Sequence, residues 1–300
     1  MMSMRLSPTI SINSYLSPNP SPPLPRTVAF TTPGNYAARL SLLLHRRSCS
    51  PLWFPTVIVE PTTATNADLL THVSRLHDFS AIAFTSRAGI SAFESAVSAA
   101  ESPPLSSSGD DFIISALGKD AELLTPGFVS KICPNSDRVK LVVPPNSTPS
   151  GLAESLGPGL GRKVLCPVPL VVGLEEPPVV PDFLFNLGLM GWDPVRVNAY
   201  VTRWAGPNCA KGLWGMDHAD AIIFTSTAEV EGLLKGLMEL GLGWEDLRKR
   251  WPGLVVAAHG PVTASGAERL GVRVDVVSAR FGSFDGVVEA LDHTFRENMK

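Results

Sequence analysis

One pattern constrains this chain more than any other: an apolar strand that runs straight into a hydroxyl pair and then into an alanine-bearing helix, written twice. Asp78-Phe79-Ser80-Ala81-Ile82-Ala83-Phe84-Thr85-Ser86 returns as Asp220-Ala221-Ile222-Ile223-Phe224-Thr225-Ser226, 140 positions on when Phe224 is set against Phe84. Other pairs keep a similar distance. Gly118 and Gly260, each closing a predicted strand, are 142 apart; Gly151-Leu152 and Gly286-Val287, each opening a predicted helix, are 135 apart. A repeat of that length predicts two whole α/β domains rather than a stack of small units.

The rest of the chain alternates in the same way. A short β-prone run over 27–34 ends in turn chemistry and feeds an apolar-periodic helix through Ala37, Leu40, Leu43 and Leu44. The segment 51–61 is apolar but bounded by prolines, which rule out helix and suit an edge or a crossing between domains. There follow a helix over 66–76, the first Phe-Thr-Ser strand, a helix over 88–100, a Pro/Ser/Gly loop over 101–111, a strand over 112–118 with a helix over 119–124, a strand over 139–144 and a helix from 150. A strand over 162–167, a helix over 181–190 and a second crossing over 194–202 come next. The second Phe-Thr-Ser strand then leads to a helix over 230–240, a strand over 254–258, a helix to 270, a strand over 272–277 and a helix over 283–295. Such βα alternation predicts parallel sheets flanked by helices. Because the two crossings bracket one block, the expected domains are 58–202 and a discontinuous one made of 27–57 plus 203–296, joined by a two-stranded linker.

Composition excludes several classes of function. A net charge of −3 over 300 residues gives no field for gripping nucleic acid or an anionic membrane surface. The most apolar run, near 165–174, is broken by Pro167 and Pro169, so no transmembrane helix is predicted. Cys49, Cys133, Cys166 and Cys209 form no CxxC pair, and the six histidines no HExxH, so no metal is expected. Residues 1–26 are rich in Ser and Pro, carry Arg5 and Arg26, and precede the first carboxylate of the chain, Glu60. That composition predicts an organellar transit segment, chloroplast ahead of mitochondrion because Ser and Pro dominate over an Arg-bearing amphipathic helix. An inert tail is the alternative.

A strand ending in Thr-Ser and feeding a helix puts hydroxyls and free backbone N–H groups at the carboxyl edge of a sheet, where open α/β folds bind ligands, anions above all. Helix capping by Thr85, Ser86, Thr225 or Ser226 needs no ligand and explains the same residues. Tyr200, on the second crossing, is either a proton donor facing a cleft or an amphipathic residue beside a hinge. Thr263, after Gly260-Pro261-Val262, either caps its helix or bonds a ligand. No GxGxxG, Walker or GxSxG motif occurs. The residues alone point to a hydroxyl-lined cleft suited to a polyanionic small molecule.

The ordered set Phe30-Thr31-Thr32-Pro33, Phe54-Pro55, Ala83-Phe84-Thr85-Ser86, Leu117-Gly118, Ser150-Gly151-Leu152, Val197-Asn198-Ala199-Tyr200-Val201-Thr202, Ile223-Phe224-Thr225-Ser226 and Ala258-His259-Gly260-Pro261-Val262-Thr263 resembles the uroporphyrinogen-III synthase family. The resemblance spans 27–291. It implies two α/β domains with the substrate between them, no cofactor, and a monomer. It also implies closure of hydroxymethylbilane, a linear tetrapyrrole with eight carboxylates, to uroporphyrinogen III with loss of water and inversion of the last pyrrole. On this basis Tyr200 assists departure of the hydroxyl, and Thr31, Thr85, Ser86, Thr225, Ser226 and Thr263 contact the substrate. The chain departs from the family pattern at Thr32, at Cys166-Pro167-Val168-Pro169 and at Ala121. A paralogue that binds tetrapyrroles without catalysis is the alternative reading.

Overall fold

The computed structural model describes residues 25–297; the expected transit segment lies outside the described residues except for its last two. Strand β1 (Arg26–Phe30) leads through α1 (Gly34–Arg46) to β2 (Cys49–Trp53). After β3 (Val57–Glu60) come α2 (Thr63–Val73), β4 (Ala81–Phe84), α3 (Arg87–Ser98), β5 (Phe112–Ala116), α4 (Pro126–Ile132), β6 (Val139–Val142), α5 (Pro149–Leu156), β7 (Lys163–Val172), α6 (Val179–Leu189) and β8 (Asp193–Trp204). The chain ends with α7 (Asn208–Trp214), β9 (Ala221–Phe224), α8 (Thr227–Glu239), α9 (Trp244–Arg250), β10 (Val255–Ala258), α10 (Pro261–Arg269), β11 (Val276–Val277) and α11 (Asp285–Glu297).

Two sheets result. One is wholly parallel in the order β11-β10-β9-β1-β2; the other runs β3-β8-β7-β4-β5-β6 and is parallel except where β3 meets β8. The two Phe-Thr-Ser strands, β4 and β9, sit inside their sheets, and every residue of both is buried. That is why they read as unbroken apolar runs: helices cover both faces. Around β4 the rings of Phe84, Phe93 and Phe128 pack at 5.5 to 6.3 Å, each contributing on the order of 2–3 kcal/mol through burial of its apolar surface. Around β9 the same work falls to Leu233, Leu237, Trp244 and Leu247.

The proline-bounded segment 51–61 is both an edge and a crossing. Its first half, β2, closes the edge of the first sheet beside β1. Pro55 cannot donate to a ladder, and after it the chain enters the second sheet as β3. β3 then pairs antiparallel with β8 from Val57↔Trp204 to Glu60↔Val201. The chain thus enters the second sheet along β3 and leaves it along β8, the two strands of this ladder.

Several elements differ from expectation. The strand predicted over 162–167 runs on to Val172 through Pro167 and Pro169. Its pairing with β4 stops at Ile82↔Leu165, so beyond that point β7 has only β8 as a neighbour and a missing N–H on its other side costs no ladder bond. A bulge between Val168 and Pro169 sets Pro169 opposite Tyr200. The strand over 272–277 shrinks to β11, and the helix over 119–124 is a 3-10 turn over Gly118–Leu123. Helices α4, α7 and α9, seven residues each, were not expected.

Candidate functional site

The carboxyl edges of the two sheets face a common cleft of about 410 Å³. Four helices, α3, α5, α8 and α10, begin at its wall, with Ser86, Thr148, Ser226 and Gly260 as their N-caps. The first turn of each leaves backbone N–H groups without helical partners, and the helix dipole makes these ends favourable to anions.

On the second sheet Ser86 has extended backbone geometry and its Oγ accepts from the Gly89 N–H at 3.1 Å. The same oxygen lies 2.8 Å from the Tyr200 hydroxyl. Gly89 allows a close approach: a Cβ there would stand 3.0 Å from the Pro167 carbonyl of β7, a tight contact. The Tyr200 phenol is pushed up to about 12 by burial, a rise that the Ser86 hydrogen bond reduces. At neutral pH it therefore holds its proton, as a hydrogen-bond donor or acid rather than a base.

On the first sheet the equivalent turn is built differently. Position 229, three residues beyond the Ser226 cap as Gly89 is beyond Ser86, carries a glutamate with no exposed surface. Its carboxylate accepts from Thr31 Oγ1 at 2.8 Å, from the Thr225 N–H at 2.9 Å, from Thr225 Oγ1, and from Ser226 Oγ at 3.2 Å. Burial pushes this carboxyl above its ordinary range against the pull of those hydrogen bonds. Thr263 Oγ1 donates to the Thr225 carbonyl at 3.2 Å, and Thr32 pairs with Thr225 at 3.0 Å between hydroxyl oxygens.

Of the residues singled out from sequence, Tyr200, Thr85, Ser86, Thr225, Ser226 and Thr263 border the cleft. Thr31 does not: it is fully buried behind the wall, its hydroxyl directed to Glu229. Expected to contact the substrate, its hydroxyl is directed inward to that carboxylate rather than into the cleft. The hydroxyls of Thr225 and Ser226 are also drawn to Glu229.

The cleft holds groups that sequence reading passed over. Asp120 of the 3-10 turn accepts from the Arg87 N–H at 3.0 Å. Arg39 of α1 borders the cleft and lies 5.8 Å from the Phe284 ring centre; Tyr36 and His259 pack edge-on against the same ring at 5.7 and 5.0 Å. Burial and the Arg39 charge hold His259 down at about 4, so it is neutral at physiological pH. Only Glu229 had a local signal, the Ser-x-x-Glu spacing of a capping box. Among the described residues no cluster of His, Cys, Asp and Glu could hold a metal, and no helix is long and apolar enough to cross a membrane.

The chain matches the family model of uroporphyrinogen-III synthase HemD over residues 38–287. Among solved structures it is similar to a mutant uroporphyrinogen III synthase of the extremely thermophilic bacterium Thermus thermophilus, with a TM-score of 0.56 and 18% identity over 91% of this chain and 99% of that one. The wild-type enzyme of the same bacterium, in another crystal form, gives a TM-score of 0.43 and 16% identity over 92% of this chain and 100% of that one. No match was found among curated proteins.

Proposed function

We propose a reaction for this chain from one premise: it belongs to the uroporphyrinogen-III synthase (HemD) family. The reaction is closure of hydroxymethylbilane to uroporphyrinogen III with loss of water and inversion of the last pyrrole, as a step of tetrapyrrole synthesis. The observation that carries it is the Tyr200–Ser86 pair, 2.8 Å apart, in a cleft ringed by helix starts.

The leaving hydroxyl needs a proton donor, and the electron pair that breaks the C–O bond comes from the pyrrole nitrogen. Tyr200, protonated and backed by Ser86, is placed to hydrogen-bond that oxygen as it departs as water. The proton balance closes when the carbon that forms the new ring bond loses its own. The wall supplies the rest: N–H groups at the starts of α5, α8 and α10, the Arg39 charge and the Thr85 hydroxyl hold a polycarboxylate in place, while Thr263, its proton donated to the Thr225 carbonyl, braces the wall. No cofactor is needed. Residues 27–57 plus 203–296 and residues 58–202 act as two domains hinged at the β3–β8 ladder, a division supported by the absence of strand pairing between the two sheets among the described residues.

The test is a coupled assay with hydroxymethylbilane. Product enriched in the type III isomer is expected; product no richer in it than spontaneous closure, which gives type I, overturns the reading. A non-catalytic tetrapyrrole-binding module is the second reading, favoured by Pro169, which borders the cleft and offers no N–H to a carboxylate. Saturable binding of uroporphyrinogen without turnover selects it. Import into the plastid stroma follows from residues 1–26 and is tested by following a fluorescent fusion with and without them. Sedimentation tests the expected monomer.

A further inference from the structure

Asp120 follows Gly118 at the end of β5, and its carboxylate reaches across to α3. Oδ2 accepts from the Arg87 backbone N–H at 3.0 Å, and Oδ1 lies 3.4 Å from Nε of the Arg87 guanidinium. That N–H is the first of α3, at the end of the helix where an anion is most favoured. One carboxylate of the chain itself thus occupies two of the groups best able to hold a carboxylate of a ligand. Asp120 also borders the cleft together with Ser86 and Tyr200. The charged and titratable groups that face it are Arg87 from α3, Tyr36 and Arg39 from α1, and Tyr200 from β8, while Glu229 lies at the start of α8.

We propose that Asp120 is a specificity-determining residue: it keeps substrate carboxylates off the start of α3, so that the hydroxymethyl carbon of the substrate, not one of its carboxylates, comes to rest beside Ser86 and Tyr200. This rests on the reading of the cleft as a polycarboxylate site. A linear tetrapyrrole carries similar carboxylates along its whole length, and a cleft ringed by equivalent anion sites accepts it in several registers. An internal carboxylate at one of those sites removes the registers that bring a charge there.

Asp120→Asn tests this, since the amide oxygen can still accept from the Arg87 N–H while the charge is lost and the guanidinium is released. Uroporphyrin, a stable polycarboxylate, serves as the probe by fluorescence quenching. At pH 8 the variant should bind it about tenfold more tightly, the scale of one like-charge contact in a partly buried cleft. Its turnover of hydroxymethylbilane should fall, KM and kcat decreasing together as unproductive registers fill. Burial holds the Asp120 carboxyl above its ordinary range, Arg87 opposing, so the charge is lost as pH falls through that raised value. Wild type and variant should therefore converge in affinity toward acid pH. Equal or weaker binding by the variant at pH 8, or a ratio that does not change with pH, overturns the proposal. Asp120→Ser, with a short acceptor for the same N–H, gives the same comparison if the asparagine variant does not fold. Absence of uroporphyrin binding by the wild type would remove the polycarboxylate reading, and the proposal with it; binding by the wild type with no change in the variants removes the proposal alone.

Discussion

Replacing Glu229 tests whether the first-sheet turn is a structural lock. In Glu229→Ala the Thr225 N–H loses its only hydrogen-bond partner, while Thr31 keeps the Ile223 carbonyl at 3.3 Å and Thr225 Oγ1 keeps Thr32 at 3.0 Å. One orphaned, part-buried donor costs about 1 kcal/mol, and the cavity left by the missing side chain adds about 2 kcal/mol, giving about 3 kcal/mol in all. Glu229→Gln keeps the volume and one acceptor oxygen but turns two donors of the cage toward an amide NH₂, a loss of about 1–2 kcal/mol. The pH dependence separates burial from hydrogen bonding as the dominant influence on this group. Burial raises the folded-state value above the ordinary 4.5, so between 4.5 and that raised value the folded state holds a proton that the unfolded state has released. Wild-type stability due to this group is then complete below 4.5 and is lost as pH rises through the window. Glutamine does not titrate, and the penalty of Glu229→Gln should shrink from pH 4.5 to pH 8. Urea unfolding of both proteins across that range measures it, and contributions from other groups cancel in the difference. A penalty that grows with pH would show the four hydrogen bonds outweighing burial, and the argument from desolvation would be wrong.

Tyr200→Phe should leave stability within about 1 kcal/mol, because Ser86 still caps Gly89, yet reduce kcat on hydroxymethylbilane about a hundredfold with little change in uroporphyrin affinity; unchanged turnover removes Tyr200 from the reaction. With its phenol pushed up to about 12, wild-type turnover should show no alkaline limb from this residue below about pH 10. Gly118→Val acts on the contact across the cleft: φ is +47° and an added Cβ meets the Gly282 carbonyl at 2.9 Å, near where Lys119 pairs with Asp285 at 3.3 Å. The expected result is a larger radius of gyration by solution scattering with each sheet intact by circular dichroism; an unchanged radius means that this contact does not hold the cleft closed.

The parts legible in the sequence were those fixed by local pattern. β4 and β9 announce themselves as apolar runs closed by hydroxyls because both faces are buried, and the prolines of 51–61 mark a crossing because a residue without an N–H belongs at an edge. Helices α7 and α9 are too short to show a period; their positions are set by packing of Cys209, Leu213, Trp244 and Leu247 on the first sheet. Asp120 left no trace because its partner is 33 positions away, and spacing along the chain says nothing about a contact closed by a sheet. The orientation of Thr31 was hidden for a related reason. Its motif placed it correctly at the end of β1, but which way its hydroxyl turns depends on Glu229, 198 positions on.

The doubled turn shows how one motif comes to do two jobs. Both copies end a buried strand in Thr-Ser and cap a helix with the serine, yet the residue three places beyond the cap separates them. With glycine, at position 89, the cap oxygen keeps an open side, and Tyr200 from the linking strand fills it with a phenol that faces the cleft. With glutamate, at position 229, the side chain folds back over the same space and gathers Thr31, Thr225 and Ser226 into a closed cage. A hydroxyl inside such a cage is already donated and has little to offer a ligand, so capping and binding coexist at Ser86 but compete at Ser226. The proposed chemistry therefore calls on the second-sheet copy for its hydroxyls, and on the first-sheet copy chiefly for the free N–H groups at the start of α8.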